Sequence, residues 1–130
     1  MDNYVLVVDD QADVRQLIMD VLDSMDVPGK EAANGQQALY AIREKRPAAI
    51  ILDIMMPVMN GFTLLSHLQL DKTIRAIPII LLSGIADNTP KMRNLPGVVH
   101  VIRKGGFSVN ELRTALNRVL ENELVAAEIA

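Results

Sequence analysis

Three carboxylates, a hydroxyl and an ammonium group each stand at the end of an apolar run in this chain. They belong to Asp9, Asp10, Asp53, Ser83 and Lys104. If these groups converge, the carboxylates repel one another and raise one another's pKa unless a cation lies among them. Their convergence therefore requires a metal ion or a partner cation.

A hard divalent cation suits such a set of carboxylates. Mg²⁺ takes octahedral oxygen ligands, keeps several waters, and usually binds one or two carboxylates together with phosphate oxygens. Asp10 and Asp53 suit direct coordination, and Asp9 suits a place one step further from the ion. The residue types therefore favour Mg²⁺ as the cofactor.

Asp53 also has the chemistry of a nucleophile at phosphorus. An ionised Asp carboxylate can form an aspartyl phosphate when the negative charge of the phosphoryl group is offset. Mg²⁺ and Lys104 would neutralise the phosphoryl oxygens, while the Ser83 hydroxyl and the Gly84 backbone N–H would donate hydrogen bonds to them. Gly84 has no side chain, so it would leave room for the phosphoryl group.

These groups meet only if the apolar runs before them are neighbouring strands. Short apolar runs bounded by turn residues are typical of strands buried on both faces. We expect five strands, the second weakly signalled, at residues 4–8, 30–33, 48–53, 77–82 and 98–102. Helical segments separate them, which predicts an α/β fold: a parallel sheet with helices on both faces and every carboxyl end at one rim.

The helices are predicted from apolar residues that recur at helical spacing. These stripes lie within residues 14–25, 38–45, 62–68 and 112–124. Ser108 is followed three residues later by Glu111, the pattern of a capping box, which predicts the start of the last helix. Residues 85–96 are the least regular segment, where Thr89 and Pro90 predict a short helix.

Composition limits the chain to one domain and to few classes of protein. It has 130 residues, 50% of them hydrophobic, and a net charge of -3, so we expect no nucleic-acid surface on this domain. The absence of Cys excludes disulfides and thiolate metal sites and fits a cytoplasmic protein. The N-terminal apolar run is too short for a signal peptide or a membrane span. We expect the domain at residues 1–124, and a helix extension or the start of a linker at 125–130.

The motifs that carry these residues resemble those of the receiver domain of two-component response regulators. The matching motifs are VLVVDD at residues 5–10, AANGQQAL at 32–39, LDIMMPVMNG at 52–61, IILLSG at 79–84, and the rim lysine Lys104. The resemblance covers residues 4–124. It implies a flavodoxin-like (βα)5 fold with strand order 2-1-3-4-5, and a bacterial, CheY-like signalling protein rather than a turnover enzyme.

The resemblance implies a role for each acidic residue. Asp53 would accept a phosphoryl group from the phosphohistidine of a histidine kinase or phosphotransfer protein. Asp9 and Asp10 would hold Mg²⁺ beside Asp53, with the Met55 backbone carbonyl as a further ligand. Met55 and Ile85 would flank the acceptor, and since both are apolar and can hinder an attacking water, we expect a long-lived phosphoryl group.

The resemblance also implies that Ser83 and Lys104 bind the phosphoryl group and report its presence to a partner or output domain. Two positions depart from the family pattern. Gly105 follows the lysine where the family usually has a proline joined by a cis bond, so we expect a trans or a strained peptide there. The usual aromatic switch position holds Val101, so the signal cannot rest on the rotation of a ring.

Two other functions remain open from the sequence. One is a Mg²⁺-dependent phosphohydrolase similar to haloacid dehalogenases, although those enzymes usually place a second Asp where this chain has Met55. The other is a receiver-like interaction module that works without phosphorylation. The apolar stripe that continues past residue 120 is compatible with a homodimer, an attached output domain or a frayed helix end.

Overall fold

Strands and helices alternate along the whole chain. A computed structural model describes residues 3–56, 59–84 and 89–129. In chain order the elements are β1 (Val5–Val8), α1 (Ala12–Ser24), β2 (Gly29–Ala32), α2 (Gly35–Glu44), β3 (Ala49–Asp53), α3 (Gly61–Leu70), β4 (Ile79–Ser83), α4 (Thr89–Arg93), β5 (Val98–Arg103) and α5 (Val109–Ile129).

The five strands form one parallel sheet in the order β2-β1-β3-β4-β5, which confirms the predicted topology. Val8, the last residue of β1, pairs with Ala32 on one side and with Leu52 on the other. On the far side of β3, Asp53 pairs with Leu82 of β4. The strands therefore end level with one another, and the residues that follow them share one rim.

Helices cover both faces of the sheet because the strand side chains alternate between two buried clusters. Val5 and Val7 point to the face covered by α1 and α5, where they join Ile18 and Leu116. The side chains between them point to the opposite face, covered by α2, α3 and α4. The four residues of β1 are fully buried, as a central strand of a two-faced parallel sheet requires.

Some strand limits differ from those predicted. The fourth strand begins at Ile79, not at Ile77, because the Ile77 N–H is used in a turn with the Ile74 carbonyl at 3.2 Å. Pro78 has no N–H to give to the sheet, but its carbonyl accepts the Ile50 N–H at 3.0 Å. The proline thus stands just before the strand instead of near its start.

Side chains cap three of the helices. Asn34 accepts the N–H of Gln37 at the start of α2, and Asn60 accepts the N–H of Thr63 at the start of α3. Before α5, Ser108 Oγ accepts the Glu111 N–H at 3.3 Å, as its sequence pattern predicts. The Glu111 carboxylate does not complete a capping box in the described contacts, since it pairs with His100 of β5 at 3.2 Å.

The irregular segment before β5 contains the predicted short helix, since α4 has five residues. Pro57 and Ile85 lie outside the described residues, as does Ala130. α5 continues to Ile129, so the helix does extend past residue 124. Whether residues 125–130 begin a linker, and where the domain ends, stay predictions. No helix in the described part of the chain is long and apolar enough to cross a membrane.

Candidate functional site at the carboxyl rim of the sheet

Three polar side chains are buried where the central strands end. Asp9 follows β1 and is 0% exposed, while Asp53 and Ser83 end β3 and β4 and are 2% and 1% exposed. Their backbones belong to the sheet: the Asp9 N–H bonds the Ala32 carbonyl at 3.1 Å. Buried carboxylates are rare unless they are paired or bind a metal. Their burial therefore marks this rim as a site.

Lys104 supplies the cation among these carboxylates. Its backbone N–H donates to the Ser83 carbonyl at 2.8 Å, which fixes the residue at the end of β4. Its Nζ lies 3.0 Å from Asp53 Oδ2 and 2.9 Å from Asp9 Oδ2. The contact with Asp53 is a hydrogen bond, whereas the contact with Asp9 is an ion pair without hydrogen-bond alignment. The buried Asp9 Oδ2 thus keeps an unused capacity to accept.

The two charges of the pair act on each other's pKa. Burial is the largest influence on Asp53 and raises its pKa; the charge of Asp9 adds to this, while the hydrogen bonds from Lys104 and Met55 lower it. Burial alone would lower the pKa of Lys104, but the two carboxylates beside it outweigh burial and raise it. Lys104 is therefore charged at neutral pH.

The carboxylates of Asp9, Asp10 and Asp53 lie close enough to share one cation. One oxygen from each lies within 4.8 Å of the other two. Asp10 is exposed while the others are buried, so the cluster opens to solvent on the Asp10 side. All three ligand atoms are carboxylate oxygens, which are hard ligands. Asp9 Oδ2 is also buried and receives no hydrogen bond from the described residues. The site therefore fits the predicted Mg²⁺.

The turn after Asp53 is held closely against it. The Met55 N–H donates to Asp53 Oδ1 at 3.1 Å, which orients the carboxylate. The Met55 side chain is 57% exposed beside it. Gly61, at the start of α3, donates its N–H to the Ile54 carbonyl at 3.0 Å. A Cβ on Gly61 would lie 2.7 Å from Ile54 Cα and 2.9 Å from the Asp53 carbonyl oxygen, so only glycine fits there.

Gly84 lies at the same rim, directly after Ser83, and is exposed. A Cβ added to it would meet no protein atom within 4 Å. Within the part of the chain that the structure describes, no close contact requires glycine at this position, which leaves room beside it for a bound group. The sequence placed all five of the predicted polar residues and Gly84 at one rim, and there the structure brings them together.

The structure defines the peptide bond after Lys104, for which the sequence predicts a trans or a strained conformation. The peptide bonds of the described residues are all trans, and Lys104–Gly105 is one of them. Gly106 has φ +77°, a conformation that other residues rarely adopt, so the loop turns at Gly106. Lys104 thus reaches both carboxylates from a trans peptide.

Arg15 and Gln11 contribute to the site and were not singled out from the sequence. Arg15 Nη1 donates to the Asp9 backbone carbonyl at 2.6 Å, and its Nε pairs with Glu31 of β2 at 3.1 Å. Gln11 Oε1 accepts from Lys104 Nζ at 3.2 Å. Gln11 is the residue just before α1, where no sequence pattern marks it, and Arg15 belongs to the polar face of that amphipathic helix.

A parallel sheet of order 2-1-3-4-5 with a cluster of three Asp residues and a lysine at its carboxyl rim defines a receiver-type signalling domain. Comparison with known families agrees, since the response regulator receiver domain matches residues 5–117. The chain belongs to the response regulator receiver domain family.

Relatives in several bacteria share this domain. The chain is 31% identical to sporulation initiation phosphotransferase F of Bacillus subtilis, over 92% of this chain and 95% of that protein. It is 36% identical to the phosphate regulon transcriptional regulatory protein PhoB of Pseudomonas aeruginosa, over 89% of this chain and 51% of that protein. A protein-glutamate methylesterase/protein-glutamine glutaminase of Syntrophomonas wolfei is 33% identical over 95% of this chain. The chain spans 36% of that methylesterase.

Solved structures show the same fold. The receiver domain of the Francisella response regulator 1452 superposes with a TM-score of 0.82 at 28% identity, over 93% of this chain and 98% of that one. The chemotaxis protein CheY4 of Vibrio cholerae gives a TM-score of 0.80 at 28% identity, over 90% and 98% of the two chains. The CheY-like fold expected from the sequence is therefore confirmed.

Proposed function

We propose that this domain accepts a phosphoryl group on Asp53 from the phosphohistidine of a histidine kinase or phosphotransfer protein, and passes the signal to an effector or output domain. The observation that carries the proposal is the Lys104 ammonium, within 3.0 Å of both Asp53 Oδ2 and Asp9 Oδ2. A half-buried cation beside the end of β3 offsets the charge of an incoming phosphoryl group, which a carboxylate alone would repel.

The transfer exchanges one bond to phosphorus for another. An oxygen of the Asp53 carboxylate attacks phosphorus in line with the P–N bond of the donor, which breaks with its electron pair on the imidazole nitrogen. That nitrogen keeps the pair or takes a proton from water, and Asp53 becomes an acyl phosphate. The Met55 N–H, 3.1 Å from Oδ1, orients the carboxylate for attack.

Asp10, Asp9 and Asp53 are the residues that would hold Mg²⁺, with the Met55 backbone carbonyl as a further ligand. When bound, the ion supplies positive charge that neutralises the developing charge on phosphoryl oxygens. Arg15 supports this set, because its guanidinium donates a hydrogen bond to the Asp9 backbone carbonyl and so helps to fix that residue. The convergence of the three carboxylates within 4.8 Å supports their part in this assignment, and the Met55 carbonyl is added from the family resemblance.

Ser83 and Gly84 complete the environment of the phosphoryl group in this proposal. The Ser83 hydroxyl at the end of β4 and the Gly84 backbone N–H donate hydrogen bonds to phosphoryl oxygens. Open space around Gly84 supports this role, since a Cβ there would meet no atom of the described residues within 4 Å. Lys104 binds a third phosphoryl oxygen from the end of β5.

We expect the domain to act as a cytoplasmic signalling module and not as a turnover enzyme. PhoB, a transcriptional regulatory protein, is about twice as long as its matched region, so an output domain or separate effector is the expected recipient of the signal. A homodimer through the last helix remains a further proposal. Phosphorylation is a local change of charge, which biases a two-state element near the site.

Intact-protein mass spectrometry after incubation with acetyl phosphate tests the function. We expect the wild type to gain the mass of one phosphoryl group with Mg²⁺ and not with EDTA, and Asp53→Asn to gain none. Asp23→Asn is the matched control, because Asp23 is an exposed carboxylate at the far end of α1. Asp10→Asn should need far more Mg²⁺ than the wild type.

No gain in a wild-type protein that still binds Mg²⁺ would contradict the proposal. The domain would then act as an interaction module that works without phosphorylation, and its unmodified surface would be the one to search for partners. Rapid release of inorganic phosphate from many equivalents of acetyl phosphate would favour a phosphohydrolase.

A further inference from the structure

Gln11 is the N-cap residue of α1, but its side chain does not cap the helix. The preferred residues at this position are Asn, Asp, Ser and Thr, whose short side chains reach the free N–H groups of the first turn. The side chain of Gln11 makes no such bond, and its backbone is extended, with φ -92° and ψ 114°. Helix stability therefore does not explain the presence of glutamine here.

The Gln11 side chain instead faces the end of β5. Its Oε1 lies 3.2 Å from Lys104 Nζ and accepts a hydrogen bond from the ammonium. Its backbone N–H donates to Asp9 Oδ1 at 2.9 Å. Since the other oxygen of Asp9 lies 2.9 Å from the same ammonium, Asp9, Gln11 and Lys104 form a closed ring of contacts. The start of α1 is thereby tied to the lysine.

An ammonium has three donors, and among the described residues three oxygen atoms are found close to Lys104 Nζ. Two of them belong to the carboxylates of Asp9 and Asp53. In the proposed function these carboxylates bind Mg²⁺, and Asp53 also accepts the phosphoryl group. Gln11 provides a neutral carbonyl, which takes no part in Mg²⁺ binding or in phosphoryl transfer. It is thus the neighbour that stays available to Lys104 while the charges of the site are rearranged.

The backbone near Lys104 does little to fix the position of the lysine side chain. The residue is fixed by its N–H to Ser83, but two glycines follow it, and they allow the loop many conformations. The lysine side chain has four rotatable bonds, so ordering its ammonium carries an entropic cost. A third acceptor restricts the ammonium to the region of Asp53.

We propose that Gln11 is a positioning residue that holds the Lys104 ammonium toward Asp53 during phosphoryl transfer. This inference rests on the proposed function. Gln11 acts through Lys104 and not on the phosphoryl group itself, so its removal should matter only while the lysine is present.

Initial rates of phosphorylation by acetyl phosphate in saturating Mg²⁺ test this role. Gln11→Met keeps the length of the side chain without the carbonyl, and we expect it to slow phosphorylation about three- to tenfold, the effect of one ordinary hydrogen bond. Gln11→Asn keeps the amide and improves the helix cap but falls one methylene short of Lys104. It should be as slow as Gln11→Met, whereas Gln11→Glu should recover most of the rate.

Two controls separate positioning from helix structure. Gln16→Met changes the same residue type in α1, where Gln16 binds Asp20 at 2.9 Å, and should leave the rate unchanged. In a Lys104→Ala background, Gln11→Met should have no further effect.

Four results would overturn the inference. Wild-type rates in both Gln11→Met and Gln11→Asn would show that the carbonyl is not needed, and a wild-type rate in Gln11→Asn alone would assign the residue to the helix cap. A loss in Gln11→Met that adds fully to that of Lys104→Ala would show that it acts elsewhere. If the wild type takes up no phosphoryl group, the proposed function fails and this inference fails with it.

Discussion

The Lys104 ammonium is stabilised by carboxylates that are themselves destabilised by burial. Asp9 and Asp53 are almost fully buried, and isolated buried carboxylates are costly. The lysine offsets part of this cost without removing it, since the pKa of Asp53 remains raised, chiefly by burial. Because its buried carboxylates are only partly neutralised, the site favours the binding of a further cation.

Asp53→Asn should therefore stabilise the metal-free protein. A raised pKa means that folding disfavours the ionised carboxylate, so the cost is absent below about pH 4, grows as the pH rises toward the raised pKa, and is complete above it. We expect the melting temperature of Asp53→Asn to exceed that of the wild type by a few degrees at pH 7 in EDTA, with the difference shrinking toward pH 4.

Melting curves from pH 4 to pH 8 measure this difference. Mg²⁺ should reduce it at pH 7, because the ion binds the folded wild type more strongly than the variant. A variant less stable than the wild type at pH 7 in EDTA would show that the bond between Lys104 and Asp53 outweighs the cost of burial.

Met55 bears on how long a phosphoryl group lasts. Its side chain is 57% exposed beside Asp53 and has no group that orients water by hydrogen bonding. Met55→Gln supplies an amide that can hold a water near the acyl phosphate. We expect it to shorten the phosphoryl half-life about three- to tenfold, less than a general base achieves.

The half-life is read by mass spectrometry after removal of acetyl phosphate, with Met55→Leu as the apolar control. Equal half-lives for Met55→Gln and Met55→Leu would exclude this position as a determinant. Complete loss of phosphate from the wild type within seconds would count against the expected long lifetime.

At the scale of elements, the acceptor turn depends on how closely α3 approaches β3. The first residue of α3 is Gly61, whose N–H bonds the Ile54 carbonyl at 3.0 Å. This contact holds the segment after Asp53 against the helix. Because it is made between backbones, any side chain at the position must push the two elements apart.

Gly61→Ala should destabilise the protein by about 1 to 3 kcal/mol, because its Cβ would lie 2.7 Å from Ile54 Cα. Gly105→Ala is the matched control: a Cβ there meets nothing within 4 Å, and its change should stay within about 0.5 kcal/mol. Urea unfolding gives both values. Equal losses in the two variants would contradict the role assigned to the close approach.

At the scale of the whole molecule, much of the fold follows from the sequence because the buried strands are short, apolar and bounded by turn residues. Since parallel strands end at one rim, the positions of Asp53, Ser83 and Lys104 after their strands were enough to predict their convergence. The strand order itself came from the family resemblance, because apolar runs do not reveal which strands are neighbours.

The sequence was less informative where a polar side chain can bond either within its own segment or to a distant element. Ser108 and Glu111 predict a capping box, yet the Glu111 carboxylate pairs with His100, a partner from β5 that no local pattern shows. Arg15 reads only as part of the polar face of α1, and no local pattern singles out Gln11. Their contacts with Asp9 and Lys104 depend on how the helix lies on the sheet. Long polar side chains reach partners that only the fold brings near.

Asp53 is the proposed attachment point of the phosphoryl group, and chemical mapping tests it most directly. Borohydride reduces an acyl phosphate to an alcohol, so it converts a phosphorylated aspartate to homoserine. After treatment with acetyl phosphate and Mg²⁺, reduction and digestion, we expect peptide mass spectrometry to find homoserine in place of Asp53 alone. Homoserine in place of Asp9 or Asp10, or none in a protein that gained the mass of a phosphoryl group, would contradict the assignment.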